Sequence, residues 1–417
     1  MTESKRIYLE REQRFNDIVA LRKPDRIPVI PQVVHYFPTR IKGVSNKDAG
    51  YDNALRYKCM KEAVLEFGWD WAVPNGMFPS ETFDALGVKQ IRWPGGDLPD
   101  DSPFQFVENE WLAEDEYDAF LADPNGFTLT HMLPRIAGNL AGLGQMPLPP
   151  LYWLSNAYNL VAIAGNVLAA PPMRTVLESL LNLADATARN NAALGAFIGD
   201  MATLGYPYGY VSVTVPPFDL VSDFLRGLRG GSMDIYRNPA KLLAAVELME
   251  PVSIASAVGA AKMSGNPRVF IPMHRGADNF MSEAAFDKFY WPSFSRLIDA
   301  LVAEGLTPAP LFEGGYNSRL KYLAQLPPGK VAAHFDHIDR KKFKEMCGDV
   351  MCFWGNVPAS LLCTGTPQQV KDDVRELIAV FGDTGALMID GNQGIPDEAR
   401  PENVLAMREA VDEFGVL

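Results

Sequence analysis

Five short apolar runs in the C-terminal half constrain this chain more than any other feature. They are "RVFIPMHRG" (268–276), "PAPLFEGG" (308–315), "KVAAHFD" (330–336), "VMCFWGN" (350–356) and "ALMIDGNQG" (386–394). Each ends in a polar or glycine-bearing turn, and helix-forming sequence follows. Runs that are apolar throughout, rather than alternating, suit strands buried on both faces of a parallel sheet. The intervening "TPQQVKDDVRELIAVFG" has Thr366 at an N-cap, Pro367 at the first helical position and Gly382 at its close. Upstream, "IPVIPQVV" (27–34) and "WDWAVPN" (69–75) are runs of the same kind, preceded by a charged N-terminal helix and the turn "RKPDR". This repetition predicts an α/β protein, a closed (β/α)8 TIM barrel with an N-terminal helical extension. No GxGxxG follows the first run, so an open dinucleotide-binding sheet has little support. Residues 92 to about 150, rich in Pro, Gly and Asp, read as a cap inserted into a single domain spanning 1–417.

Composition narrows the partners. A net charge of −13 disfavours nucleic acid and anionic membrane surfaces. The N-terminus is charged and lacks the apolar core of a signal peptide, and no stretch reads as a bilayer span. Cys59, Cys347, Cys352 and Cys363 form no CxxC pair and no disulfide framework. Packing roles in a reducing, cytoplasmic setting are the expectation.

Barrel active sites assemble at the C-terminal ends of the strands. The residues at those ends are His274, Glu313, His334 with Asp336, Asn356 and Asn392. Glu313 is the most informative, because a carboxylate closing a buried strand needs a partner or a cation. Imidazole and carboxylate together are suitable zinc ligands, and Asp336 is a further ligand or an acceptor that orients an imidazole. An ordinary strand-end histidine and a satisfied core histidine remain the alternative readings of His274 and His334. His337 and Asp339 fit the following turn and helix cap. Tyr206 and Tyr208 in "YPYGYVSV", with Trp69, Trp71, Phe78, Phe83 and Trp93, could line an apolar substrate pocket or simply fill the core. Arg226 and Arg229 lie near a glycine pair, where they could bind an anion or form surface salt bridges.

The stretches "ALRKPDRIPVIP" (20–31), "HFDHIDRKKFKEMCGDV" (334–350), "GNVPASLLCTGTPQQVKDDVRELI" (355–378) and "GNQGIPDEARPENVLAMREAV" (391–411) resemble the uroporphyrinogen decarboxylase superfamily. The resemblance runs along essentially the whole chain and implies the same barrel. Tetrapyrrole decarboxylases of that superfamily carry a "RQAGRY" type stretch after the first strand, where this chain has "PQVVHYFPTR" (31–40). The branch of cobalamin-dependent methyltransferases includes enzymes with a His-x-Cys zinc motif. Its places here are Phe312, Gly314 and the Asn392 loop, so that thiolate site is absent. The remaining resemblance is to O-demethylase methyltransferases acting on methoxylated aromatics, whose zinc ligands include a glutamate and a histidine spaced as Glu313 and His334 are. The earlier glutamate of that pattern falls on Ile298, with Asp299 beside it, and His274 is the substitute from the strand-end reading.

The resemblance implies a Zn2+ site that includes Glu313 and His334; the strand-end reading adds His274 and Asp336 to it and sets Tyr206, Tyr208, Asn356 and Asn392 against the substrate. The resemblance also implies methyl transfer from a small methylated donor to the Co(I) corrinoid (cobalamin) of a separate protein, since no DxHxxG lower-ligand motif is present. That partner is expected to dock at the barrel mouth, and pairing of copies into a homodimer is the default for such barrels. Two rivals stay open. A decarboxylase or lyase of the same barrel predicts Arg226, Arg229, Arg275 or Arg319 pointing into a basic pocket. A non-catalytic binding homologue predicts strand-end residues that do not converge.

Overall fold

The computed structural model describes residues 1–77, 79–145 and 151–416; Phe78 and the "MPLPP" end of the cap lie outside the described residues. Six strands form one parallel sheet in sequential order: β1 (Ser212–Val213), β2 (Arg268–Met273), β3 (Thr307–Gly315), β4 (Ala332–His337), β5 (Cys352–Trp354) and β6 (Leu387–Met388). Two further staves close it. Ile30 N–H donates to the Ile389 carbonyl (2.9 Å) and Ile389 N–H to the Pro28 carbonyl (3.0 Å), joining β6 to the first apolar run. Asp70 N–H donates to Val29 (2.9 Å) and Ala72 N–H to Pro207 (2.8 Å), joining that run to 69–75 and 69–75 to the approach of β1. The circuit is complete, and the chain is a (β/α)8 barrel.

The helices follow the signals in the sequence. Thr366 caps Pro367–Phe381 in a capping box with Gln369, and Gly382 ends it. Asp339 caps Arg340–Cys347 by accepting from Lys341 and Lys342 N–H, both 3.0 Å. Phe312, Phe335 and Phe353 point outward from β3, β4 and β5 into the layer between strands and helices, stacked at 4.7 and 5.7 Å. The inward positions Ala309, Ala332, Cys352, Trp354 and Met388 form a second cluster with Phe15, Ile18 and Val19. The N-terminal helix Glu3–Val19 therefore stoppers the bottom of the barrel, with Phe15 4.6 Å from Trp71.

The cap leaves the barrel after the second stave. It begins with an antiparallel hairpin, Ile91–Arg92 against Gln105–Phe106, and returns through the long helix Pro171–Thr203. One expectation is corrected: helix Pro239–Ser264 is long and apolar enough to cross a membrane by length and composition. It packs on the barrel, where Ser212 and Thr214 hydroxyls donate to its Ala257 and Ser253 carbonyls (both 2.8 Å). The apolar residues at its strand-facing positions alternate with too few charges for the sequence alone to tell the two cases apart. The cysteines are free, and burial pushes the Cys347 and Cys352 thiols up to about 12, as packing residues require.

Candidate active site at the barrel mouth

Alternation along β3 turns Phe312 outward and Glu313 inward at the mouth. His274 follows the last residue of β2, which pairs with Phe312. Its Nε2 lies 3.6 Å from Glu313 Oε1, with both side chains about one-third exposed. The other ring nitrogen, Nδ1, lies 2.5 Å from Asp223 Oδ2. Glu313 itself accepts no hydrogen bond among the described residues. Burial pushes its carboxyl above the ordinary value, His274 opposes that push, and the charges of Asp336 and Asp223 add to it. For His274, burial works to lower the pKa, but the hydrogen bond it donates to Asp223 and the charges of Glu313 and Asp219 win, holding the ring at about 9.

Asp219 and Asp223 sit one turn apart in the helical segment after β1, an i,i+4 spacing that puts both carboxylates on one face. Asp219 is fully buried. It accepts from His274 N–H (2.9 Å), Arg275 N–H (3.2 Å) and the Tyr290 hydroxyl (2.8 Å), and so fixes the turn that carries the histidine. Burial and the neighbouring Asp223 push its carboxyl up to about 7. Asp223 also accepts from the Arg275 guanidinium at 2.8 Å. Neither acid was anticipated; their spacing in "FDLVSD" was the available signal.

Asp336 lines the mouth as a brace. It accepts from Gly314 N–H (3.0 Å), the Asn392 amide (2.5 Å) and the Gln393 amide (2.7 Å), and His337 Nδ1 lies 2.6 Å away. Asn356 donates to the Asp336 carbonyl (3.0 Å) and accepts from Arg340 (2.9 Å). Asn392 also accepts from Ala359 N–H (2.9 Å). Both asparagines stand at the mouth as expected, with their amides committed to holding it. A polar cleft of about 260 Å³ opens between Asp336, Asn356, Asn392 and Arg340.

Three expected residues lie elsewhere. His334 pairs in register with Leu311, not Glu313, and is therefore one inward layer deeper, roughly 6–7 Å down the strand. It is completely buried against Trp354, with Nδ1 2.6 Å from Gln32 Oε1 and Nε2 2.8 Å from the Gly391 carbonyl. Burial pushes it down to about 4, so the ring is neutral and one of those contacts is its single donated bond. Both nitrogens face protein oxygens in a closed layer below the mouth, and His334 does not join Glu313 in a ligand set. Tyr206 and Tyr208 precede β1 rather than follow it. Asn266 and Arg268, at the start of β2, donate to the Tyr208 carbonyl (3.0 and 3.2 Å), and Tyr206 stacks under Arg11 of the N-terminal helix at 3.8 Å. Both tyrosines stand at the bottom of the barrel, opposite the mouth.

Zinc bonds of about 2.0–2.1 Å in a tetrahedron separate neighbouring ligand atoms by roughly 3.3 Å. The 3.6 Å between His274 Nε2 and Glu313 Oε1 fits two such positions. The Asp223 contact is the outer bond that metal-bound imidazoles make. Among the described residues no group of three or more His, Cys, Asp or Glu is arranged to hold a metal. The donor set thus fits a cation held by two residues with open positions beside them, not the four-residue site expected from the sequence.

Residues 209–414, covering β1 to the last helix and every residue of this site, match the model of the uroporphyrinogen decarboxylase (URO-D) family. That C-terminal region belongs to the uroporphyrinogen decarboxylase family. A methyltransferase from Methanosarcina mazei shares this fold at a TM-score of 0.62 and 16% identity, over 97% of this chain and 98% of that one. No curated protein sequence matches. The superfamily's barrel accounts for where the site lies. The arginines do not form the basic pocket a decarboxylase predicts: Arg226 is buried on Asp234 (2.6 Å), Arg319 on the Met281 carbonyl (2.6 Å), Arg275 is paired with Asp223, and Arg229 is exposed. His274 and Glu313 do meet at the mouth, against the expectation for a homologue whose strand-end residues do not converge.

Proposed function

We propose that this protein is a methyltransferase that moves a methyl group from a small methylated donor, a methoxylated aromatic in the first instance, to the Co(I) corrinoid of a partner protein. One observation carries the reading: His274, fixed by Asp223, presents Nε2 to a carboxylate that has no hydrogen-bond donor of its own. A half-buried acid without a donor favours a cation beside it. Zn2+ held by His274 Nε2 and Glu313 would supply Lewis acidity at the heteroatom that gives up the methyl group.

The chain's own groups set up the transfer. Asp223 accepts from His274 Nδ1 and so leaves Nε2 facing the mouth, where a bound cation would take the place of its proton. Asp336 anchors the Gly314 N–H and so keeps Glu313 turned inward. The stoppered bottom leaves the mouth as the approach for both donor and acceptor, which favours in-line attack from outside. The committed arginines support a donor without a carboxylate.

The test is transfer to free cob(I)alamin, followed by loss of its absorbance in the presence of methoxylated aromatics. Turnover by the wild type that falls at least ~100-fold in His274→Ala and Glu313→Ala is the expected result. Full activity in either variant, or none in the wild type with any methoxylated or N-methylated donor, would overturn it.

A further inference from the structure

We propose that residues 151–181 form a self-complementary surface through which two copies of this chain pair. The segment 151–170, "LYWLSNAYNLVAIAGNVLAA", contains no Asp, Glu, Lys or Arg. It turns through 84° into helix Pro171–Thr203. The inner side of this elbow is satisfied: Met173 and Val176 pack with Ala137, Leu140 and Leu143 of the cap. The outer side is not. Tyr152 is 76% exposed, Trp153 56%, Tyr158 88% and Val161 75%, and Leu177 and Leu181 continue the face along the helix at 39% and 67%.

Size and charge select the occupant. With the three aromatic side chains at about 150–250 Å² each and Val161, Leu177 and Leu181 beside them, these six leave roughly 800 Å² of largely apolar surface uncovered. The largest patch on a typical monomer is about 300–600 Å², whereas one side of a standard stable interface is about 800 Å². A second copy supplies the same patch, and a two-fold axis sets it against itself. In a chain of net charge −13, copies repel wherever their acidic faces meet, whereas 151–170 carries no charge and 171–181 adds only Arg174 and Glu178, which cancel, so copies can touch here without that penalty. One Arg balanced by a neighbouring Glu leaves little to hold an anionic lipid surface. Lasting cover by a second copy suits so apolar a patch better than a partner that must leave on each turnover.

Sedimentation equilibrium of the full chain tests this directly. The wild type is expected to be a dimer at micromolar concentration. The double variant Tyr158→Glu, Leu181→Glu is expected to weaken pairing at least ~100-fold, with Tyr158→Phe remaining dimeric. Hydrogen exchange in the wild type provides a readout that does not depend on a variant folding: amides in 151–181 should become more protected as concentration rises. A monomeric wild type, a dimer that survives the double variant, or protection independent of concentration would overturn the proposal. So would a monomer whose segment is covered only on adding a corrinoid protein or phosphatidylcholine vesicles.

Discussion

Asp223 Oδ2 lies 2.5 Å from His274 Nδ1, and that contact decides which nitrogen the ring shows to Glu313. Removing it in Asp223→Ala frees the ring to turn and leaves Arg275 without its carboxylate. Outer partners of metal-bound imidazoles are worth about 10–100-fold in affinity or activity. The expected outcome is a loss of zinc affinity in that range, measured by competition with a chelator. An unchanged affinity would show that Asp223 only solubilises the turn.

Gly314 follows Glu313 with φ +81°, a left-handed conformation, and a Cβ there would meet the Ala277 Cβ at 2.9 Å. Gly314→Ala therefore combines a backbone cost of about 1–2 kcal/mol with overlap against a neighbour that has no room to give. Urea unfolding should show the destabilisation, and turnover should fall further than stability does if Glu313, which that turn carries, acts as proposed.

Asp336 collects donors from three directions, so its removal has a structural cost distinct from any effect on chemistry. In Asp336→Ala the Gly314 N–H and the Asn392 and Gln393 amides lose their acceptor. A loss of about 2–4 kcal/mol of stability is expected, from more than one unsatisfied group. Calorimetry measures it, and a variant within about 0.5 kcal/mol of the wild type would count against the brace.

The buried titrating groups give opposite pH signatures. His334 is neutral in the folded chain down to about 4, while the unfolded chain takes up a proton near 6.5. Its contribution is complete above pH 6.5 and is lost as pH falls toward 4, on the order of 3 kcal/mol in all. His35, also pushed down to about 4 by burial, acts in the same direction. Asp219 runs the other way: its folded carboxyl is held up at about 7, so its burial opposes folding at high pH and ceases to as pH falls through 7 toward the ordinary carboxylate range. Relative to the wild type, His334→Asn should gain stability between pH 6.5 and 4.5, and Asp219→Asn should lose it across the same interval. Parallel denaturation curves at pH 7 and 5 check both signs.

The barrel was legible because continuous apolar runs at regular spacing admit few architectures. His274 and Glu313 were legible for a related reason: each is the polar residue at which such a run stops. His334 was misplaced because depth depends on register between strands, and β3 carries an irregularity between Phe312 and Gly315 that no single run reveals. Two residues short of Asp336 proved to be a full layer below the mouth. Tyr206 and Tyr208 begin their run rather than end it, which places them at the bottom of the barrel and was readable in the sequence. Asp219 and Asp223 were passed over because β1 is only two residues long, which hides the strand end they follow; their helical spacing was readable.

The account rests on His274 and Glu313 sharing one cation at the barrel mouth. Elemental analysis of purified wild type, His274→Ala and Glu313→Ala measures that sharing most directly. Near-stoichiometric zinc in the wild type, lost in both variants, is the predicted result. Zinc retained in both variants, or absent from the wild type after purification in zinc-supplemented buffer, would contradict it.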